Sequence, residues 1–93
     1  MTDRKEAARA TFDRWLSDGT SWIGVFENHD LGHPDIGRRV ARVFDIGDLP
    51  LAKIGSTRAP DHAEIGLGWR YILVAACDTT DKAMDAMKWE EES

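Results

Sequence analysis

The sequence is poor in cysteine and in long apolar runs, and each shortage excludes a class of protein. Cys77 is the only cysteine in 93 residues, so no disulfide can form within the chain. It follows the apolar run YILVAA, which predicts a buried, structural side chain. No apolar run approaches the roughly 18 residues of a membrane-spanning helix, and MTDRKEAARATFDRW at the start contains no apolar segment like that of a signal peptide. We therefore expect a cytoplasmic protein without a membrane partner.

An excess of positive charge is also lacking, which argues against a nucleic-acid partner. The chain carries 12 basic and 17 acidic residues, a formal net charge of −5. Residues 78–93 hold six acidic and two basic residues and so account for −4 of this charge. Nucleic acids and anionic membranes both require cationic surface. The acidic end therefore suits a basic partner or serves solubility, and Arg38, Arg39 and Arg42 are expected to be solvated or ion-paired.

The sequence does contain enough apolar and aromatic material for one folded domain. Hydrophobic residues make up 42% of the chain and include four tryptophans, which excludes an intrinsically disordered protein. Residues 1–93 are expected to form a single domain, which at this length buries only roughly 60–65% of its unfolded surface. Its core must therefore use most of the large apolar side chains, and the tryptophans are expected mainly on packing faces.

Two helices are predicted near the ends of the chain. Residues 3–17 have the apolar spacing of an amphipathic helix, with Gly19 in the usual position for its end. Residues 79–90 show a second apolar stripe of alanine and methionine, and Asp78, Thr79 or Thr80 can cap its start. The stripe of the first helix consists of Ala8, Phe12, Trp15 and Leu16.

Three strands are predicted between the helices. Residues 21–28, SWIGVFEN, are aromatic and β-branched. Residues 69–77, WRYILVAAC, are apolar on both faces, which predicts a central position in the sheet. Residues 36–46 fit a helical stripe as well as a strand, but Gly37 and two valines weaken a short helix and a stable sheet needs a third strand. Residues 46–68 are predicted to be mostly loop.

The predicted elements together indicate an α+β fold. A small three-stranded, mainly antiparallel sheet is packed by an N-terminal helix and a C-terminal helix.

One polar stretch, Glu27–Gly37, is the main candidate for function, because its sequence ENHDLGHPDIG packs two histidines and three carboxylates into eleven positions. Imidazole and carboxylate groups can hold a metal or move protons. Two histidines four residues apart share a face only on a helix, however, and Gly32 and Pro34 interrupt a helix here. We therefore predict neither a metal nor a cofactor.

The side chains of this loop divide into those that shape the turn and those that do not. Asn28, Asp30 and Asp35 can bond local backbone groups, and Gly32 is expected to supply a positive φ. Gly32, Pro34 and Asp35 are the candidates for turn geometry. The binding surface is predicted to consist of His29, Asp30 and His33, which are expected to be dispensable for the fold.

Two longer stretches, SWIGVFENHDLGHPDIG and APDHAEIGLGWRYILV, resemble the short uncharacterised accessory proteins of phage and prophage genomes. The resemblance covers residues 20–76, and it implies a protein that binds a host or viral protein.

The function predicted from the sequence is therefore a small non-enzymatic protein-binding module that inhibits or modulates a host factor. Two alternatives stay open. One is a small-ligand-binding protein or hydrolytic enzyme that uses the loop of His29 and His33, and the other is a structural subunit that assembles through exposed aromatic residues. A small ligand and a second copy of the chain thus stay open as partners beside another protein.

Overall fold

The computed structural model describes residues 4–55 and 70–87, which form a three-stranded antiparallel sheet with two helices packed on one face. The elements in chain order are helix α1 (Arg4–Leu16), strands β1 (Ser21–Asn28) and β2 (Arg39–Asp45), a 3-10 helix (Ile46–Leu51), strand β3 (Tyr71–Cys77) and helix α2 (Thr80–Ala86). The predicted α+β fold is confirmed. Of the helices in these two segments, none has the length and apolar content to cross a bilayer.

The strands are arranged in the order β2-β1-β3, and β1 pairs antiparallel with both neighbours. The strand interpretation of residues 36–46 is thus confirmed, whereas in the sheet that the described residues form the central position predicted for β3 belongs to β1. The central strand is β1, of which five consecutive residues from Trp22 to Phe26 are buried. Apolar residues on both faces of β3 indicate that its faces are covered, which does not determine how many of its edges are paired.

The face of the sheet that carries the helices holds the main hydrophobic core. Its buried members are Phe12 of α1, Ile23 and Val25 of β1, Cys77 of β3, and Ala83 and Met84 of α2. The predicted stripe of α1 is confirmed, because its remaining members, Ala8, Trp15 and Leu16, pack against this cluster. Cys77 is 2% exposed, as expected of a structural cysteine, and its burial, followed by the negative charge of Asp78, raises the pKa of the thiol.

The opposite face of the sheet contains an aromatic cluster. The rings of Trp22 and Phe44 stack with centroids 4.7 Å apart, and Phe26 tilts against Phe44 at 6.1 Å. Gly24 lies between these rings, and a Cβ atom there would stand 2.9 Å from the ring of Phe44. A glycine is therefore required at this position of β1 by close packing.

The ends of the helices agree with the sequence where the structure describes them. Gly19 follows α1 with a φ of 74°, and its N–H donates to the carbonyl of Leu16. The Thr79 hydroxyl accepts from the N–H of Lys82 and caps α2. The predicted end of α2 near residue 90 and the packing of Trp69 and Trp89 lie outside the described residues, as do residues 56–68 of the predicted loop.

Candidate functional site

The loop between β1 and β2 begins from a buried polar residue. Asn28, the last residue of β1, is 1% exposed. Its N–H donates to the carbonyl of Arg38 at 2.9 Å, and its carbonyl accepts from the N–H of Gly37 at 2.7 Å. These bonds close the loop at its base and set the register of the two strands.

The Asn28 side chain organises the interior of the loop. Its Oδ1 accepts from the N–H of Asp30 at 2.9 Å, and its Nδ2 lies 3.2 Å from Nδ1 of His33. The N–H of Asp35 points at the same Nδ1 at 3.1 Å. Because two donors converge on Nδ1, this atom must carry the lone pair and the ring proton must reside on Nε2. The geometry thus selects one neutral tautomer of His33.

Asp30 ties the loop to the start of β3. Its Oδ1 accepts from the N–H of Gly32 at 3.0 Å, and its Oδ2 accepts from Nε of Arg70 at 2.8 Å. The Gly32 N–H, together with the Arg70 guanidinium, holds the pKa of Asp30 below its ordinary value. A second tie is a backbone bond of 2.8 Å from the N–H of His29 to the carbonyl of Arg70.

The structure therefore separates the three residues predicted to form a binding surface. Asp30 and His33 each bond to other groups of the loop or to Arg70, which argues against the expectation that they are dispensable for the fold. That expectation stays a prediction. His29 has an exposed side chain. A role of His29, Asp30 and His33 in binding stays a prediction.

The glycine with a positive φ in this loop is Gly37, at 87°, and the expectation for Gly32 is wrong. The Asp30 carboxylate accepts from the N–H of Gly32 and so forms the turn without a left-handed residue. Gly37 lies where the chain turns back into β2, and there the backbone needs a conformation that glycine adopts readily.

Within residues 4–55 and 70–87, no three His, Cys, Asp or Glu side chains are grouped to hold a metal.

The outer edge of β2 presents backbone groups that no other strand of the described residues pairs. Gly24 of β1 pairs with Arg42 of β2. Backbone bonds lie at both ends of this pairing, from the N–H of Asn28 to the carbonyl of Arg38 and from the N–H of Ile46 to the carbonyl of Thr20. Because hydrogen-bonded positions alternate in an antiparallel pair, Arg42 directs its backbone groups toward β1 while Ala41 and Val43 direct theirs outward. In the described part of the chain, no strand pairs with this edge.

Side chains along this edge are both apolar and cationic. Val43 is 41% exposed, and Ile46 just beyond the strand is 38% exposed. Arg42 is exposed on the face opposite the helices, and its Nη1 donates to the carbonyl of Ala41 at 2.9 Å. The guanidinium thus covers one of the outward carbonyls.

Arg39 anchors the start of β2 to the rest of the fold. Its Nε lies 3.1 Å from Oε1 of Glu27, the directly opposite residue of β1, and its Nη1 donates to the carbonyl of Ala86 near the end of α2. The Arg39 side chain is only 17% exposed. This arginine therefore connects the strand to α2, while Arg42 faces solvent.

A groove of about 970 Å³ runs between α1 and the chain from Pro34 to Ala41. Its apolar lining includes Ala8, Ile36 and Met87. Arg38 also lines the groove and forms a 3.7 Å ion pair with Asp35. The groove borders the open edge on the face that carries the helices, so an added strand would lie beside it.

The edge of β2 was not among the sites predicted from the sequence. Arg38 and Arg39 were expected to be solvated or ion-paired, and both form ion pairs. Arg42 bonds to the backbone of its own strand. A signal was present in RVARVFD, where Arg39, Arg42 and Asp45 place three charges in seven residues, because charged side chains are typical of exposed edge strands. No protein-family model matches the chain, and no similar curated protein or solved structure was found.

Proposed function

We propose that this protein is a small protein-binding module that captures an extended segment of its partner as an additional strand beside β2. The observation that carries the proposal is the pair of outward-facing backbone sites at Ala41 and Val43, in a strand whose inner edge is fully registered with β1. Main-chain hydrogen bonds supply the affinity in this mode of recognition, and side-chain pockets supply the specificity.

The surroundings of the edge favour this mode. Exposed Val43 and Ile46 offer apolar contact along the strand, and the groove lined by Pro34 and Ile36 lies at its start. The loop after β1 thus contributes to binding through Pro34 and Ile36, while Asp30 and His33 keep it in shape. The narrower prediction, a phage accessory protein that acts on a host factor, rests on sequence resemblance.

Amide hydrogen exchange measured by NMR, combined with peptides selected from a displayed random library, tests the proposal. In the free protein, the amides of Ala41 and Val43 should exchange fast, whereas those of Val40 and Phe44 should be protected by the ladder with β1. A selected peptide should slow exchange at Ala41 and Val43. If these two amides are already protected in the free protein, or if bound peptides leave them unprotected, the proposal is wrong.

A pair of variants adds a second test. Val43→Pro removes the outward N–H and should abolish peptide binding, because proline cannot donate to an added ladder. Val43→Thr keeps the N–H in a residue suited to strands and should retain binding. Equal binding by two folded variants would contradict strand addition. If Val43→Pro does not fold, the exchange data of the unmodified protein decide alone.

A further inference from the structure

We infer that the segment added to β2 carries an aspartate or glutamate directly opposite Arg42, with an apolar residue on each side of it. This inference rests on the proposed function and names the chemistry of the partner. It follows from the position of Arg42 in the ladder, from its present hydrogen bond and from the neighbours of its side chain.

The ladder places Arg42 where an added strand would approach most closely. Arg42 pairs with Gly24 through its inward backbone groups. Toward an added antiparallel strand, Arg42 therefore occupies a non-hydrogen-bonded position, where paired Cα atoms are about 4.5 Å apart and side chains are closer than at hydrogen-bonded positions. A charge on the residue opposite Arg42 therefore lies closer to β2, and interacts with it more strongly, than a charge opposite Ala41 or Val43 would.

The charge of Arg42 is not balanced by its neighbours in the sheet. Arg38 pairs with Asp35, and Arg39 pairs with Glu27. Among the ion pairs of residues 4–55 and 70–87, none includes Arg42. Its opposite residue in β1 is Gly24, which has no side chain. A carboxylate on an added strand would therefore supply the first countercharge in this row of the sheet.

The present bond of Arg42 makes the choice of partner more selective. Its guanidinium covers the carbonyl of Ala41, which an added strand needs as an acceptor. A strand with a carboxylate opposite Arg42 draws the guanidinium away and replaces its hydrogen bond to a neutral carbonyl with one to a carboxylate, in which both groups are charged. A strand with a neutral or basic residue there must displace the guanidinium without that compensation.

The residues on either side of Arg42 determine the rest of the pattern. Ala41 and Val43 lie on the face that carries the helices, because Ala41 pairs with Val25 and Val43 pairs with Ile23 of the core. Residues opposite them would therefore meet apolar side chains. The complementary sequence is an acidic residue between two apolar ones, with strand-forming residues further out.

A second copy of this chain is a poorer occupant of the edge. An antiparallel pair of β2 strands centred on Arg42 would align Arg39 with Asp45, but it would also place Arg42 against Arg42 at the position of closest approach. Like charges directly opposite each other destabilise a strand pair. The net charge of −5 on each copy adds further repulsion. The geometry thus favours a different polypeptide with an acidic residue.

Three blocked peptides test this inference on the full chain at low salt. They share the sequence GKTVXVTKG, in which X is glutamate, glutamine or lysine. The glutamate peptide should bind best and the lysine peptide worst, and each step should change Kd about two- to five-fold, the range for a cross-strand charge pair. This order is opposite to that expected from attraction to the net negative protein, so long-range electrostatics cannot produce it.

Charge variants assign the effect to one residue. Arg42→Glu should reverse the order of the three peptides, and Arg42→Gln should make their affinities nearly equal. Arg14→Glu is the matched control, because it makes the same charge change at an exposed site on α1 and should leave the order unchanged. An unchanged order in Arg42→Glu, or equal binding of all three peptides by the unmodified protein, overturns the inference.

The hydrogen-exchange measurement distinguishes a failure of strand addition from a failure of the role inferred for Arg42. Peptides that protect the amides of Ala41 and Val43 without any preference at X would support strand addition and refute the role of Arg42. Peptides that show the preference but leave these amides unprotected would refute strand addition and, with it, the inference. Absence of binding by all three peptides would refute the acidic pattern, while the library selection would still test strand addition.

Discussion

The loop between β1 and β2 and the outer edge of β2 are neighbours along the chain, but they differ in where their polar groups find partners. In the loop, Asn28, Asp30 and His33 bond to backbone groups a few residues away. At the edge, the backbone groups of Ala41 and Val43 face outward from the described sheet. The difference shows that a dense cluster of polar side chains can complete its own hydrogen bonds, while the outward backbone groups of an edge strand retain bonding capacity that the described residues do not use.

The largest loss of stability is expected from Asn28→Ala, in the loop. The change removes the acceptor for the N–H of Asp30 and one donor to His33 in a buried setting. Loss of stability should be about 2–3 kcal/mol, because a buried group left without a partner carries its full desolvation cost. Urea unfolding measures this loss. A change below about 0.5 kcal/mol would mean that the loop does not depend on Asn28.

The two histidines of the loop should differ from each other. His33→Ala should cost about 1 kcal/mol, because the Nδ1 acceptor serves the N–H of Asp35 and the amide of Asn28. His29→Ala, at an exposed side chain, should stay within about 0.5 kcal/mol. ¹⁵N NMR of the unmodified protein should show His33 protonated at Nε2 near pH 8. The opposite tautomer, or equal costs of the two changes, would contradict the structure.

Asp30 should make part of the stability of the loop depend on pH. Its pKa in the folded protein is lowered by the Gly32 N–H and then by Arg70. The contribution is therefore fully present above the unfolded pKa of about 3.9 and is lost as pH falls through the lower folded pKa. Asp30→Asn should melt at a lower temperature than the unmodified protein at pH 6, and the difference should shrink below pH 4.

Other carboxylates do not obscure this comparison. Asp18, whose pKa is lowered by Thr20, and Asp78, whose pKa is lowered by Lys82, titrate in both proteins. Their effects therefore cancel in the difference between the two melting temperatures. A difference that stays constant from pH 6 to pH 2 would show that the ionised form of Asp30 does not support the loop.

The smallest effect on stability is expected at the edge. Arg42→Gln removes an exposed charge whose bond is to a carbonyl of its own strand, so the free energy of unfolding should change by less than about 0.5 kcal/mol. The same change should make the affinities of the glutamate, glutamine and lysine peptides nearly equal. A large loss of stability would break the contrast between loop and edge, because Arg42 would then have a structural role comparable to that of Asn28.

Much of the local structure was predictable from the residues. The bounds of β1 agree with the prediction, and α1 begins and ends within one residue of it. Thr79 was among the predicted caps, and the predicted burial of Cys77 is confirmed. These features depend on spacing, capping and apolar runs, which act over a few residues and are read directly from the chain.

The candidate site was less predictable. The loop was recognised as a polar turn, and Asn28 and Asp30 bond to its backbone as expected. The partner of Asp30 across the molecule is Arg70, 40 residues further along the chain. No local pattern identifies such a partner. The tie between Asp30 and the start of β3 therefore became visible only in the folded chain.

The residues alone predicted α1, β1, β3, α2 and the α+β class, because these depend on local periodicity. They left residues 36–46 compatible with a helix as well as a strand, and they did not predict the 3-10 helix Ile46–Leu51. The central place of β1, and the outer edge of β2 that is unpaired among the described strands, follow from pairings that form only in the folded chain. Apolar content reports whether the faces of a strand are buried, whereas strand order depends on pairings between distant segments. The position of Arg42 opposite Gly24, and hence the proposed acidic partner, follows from that pairing.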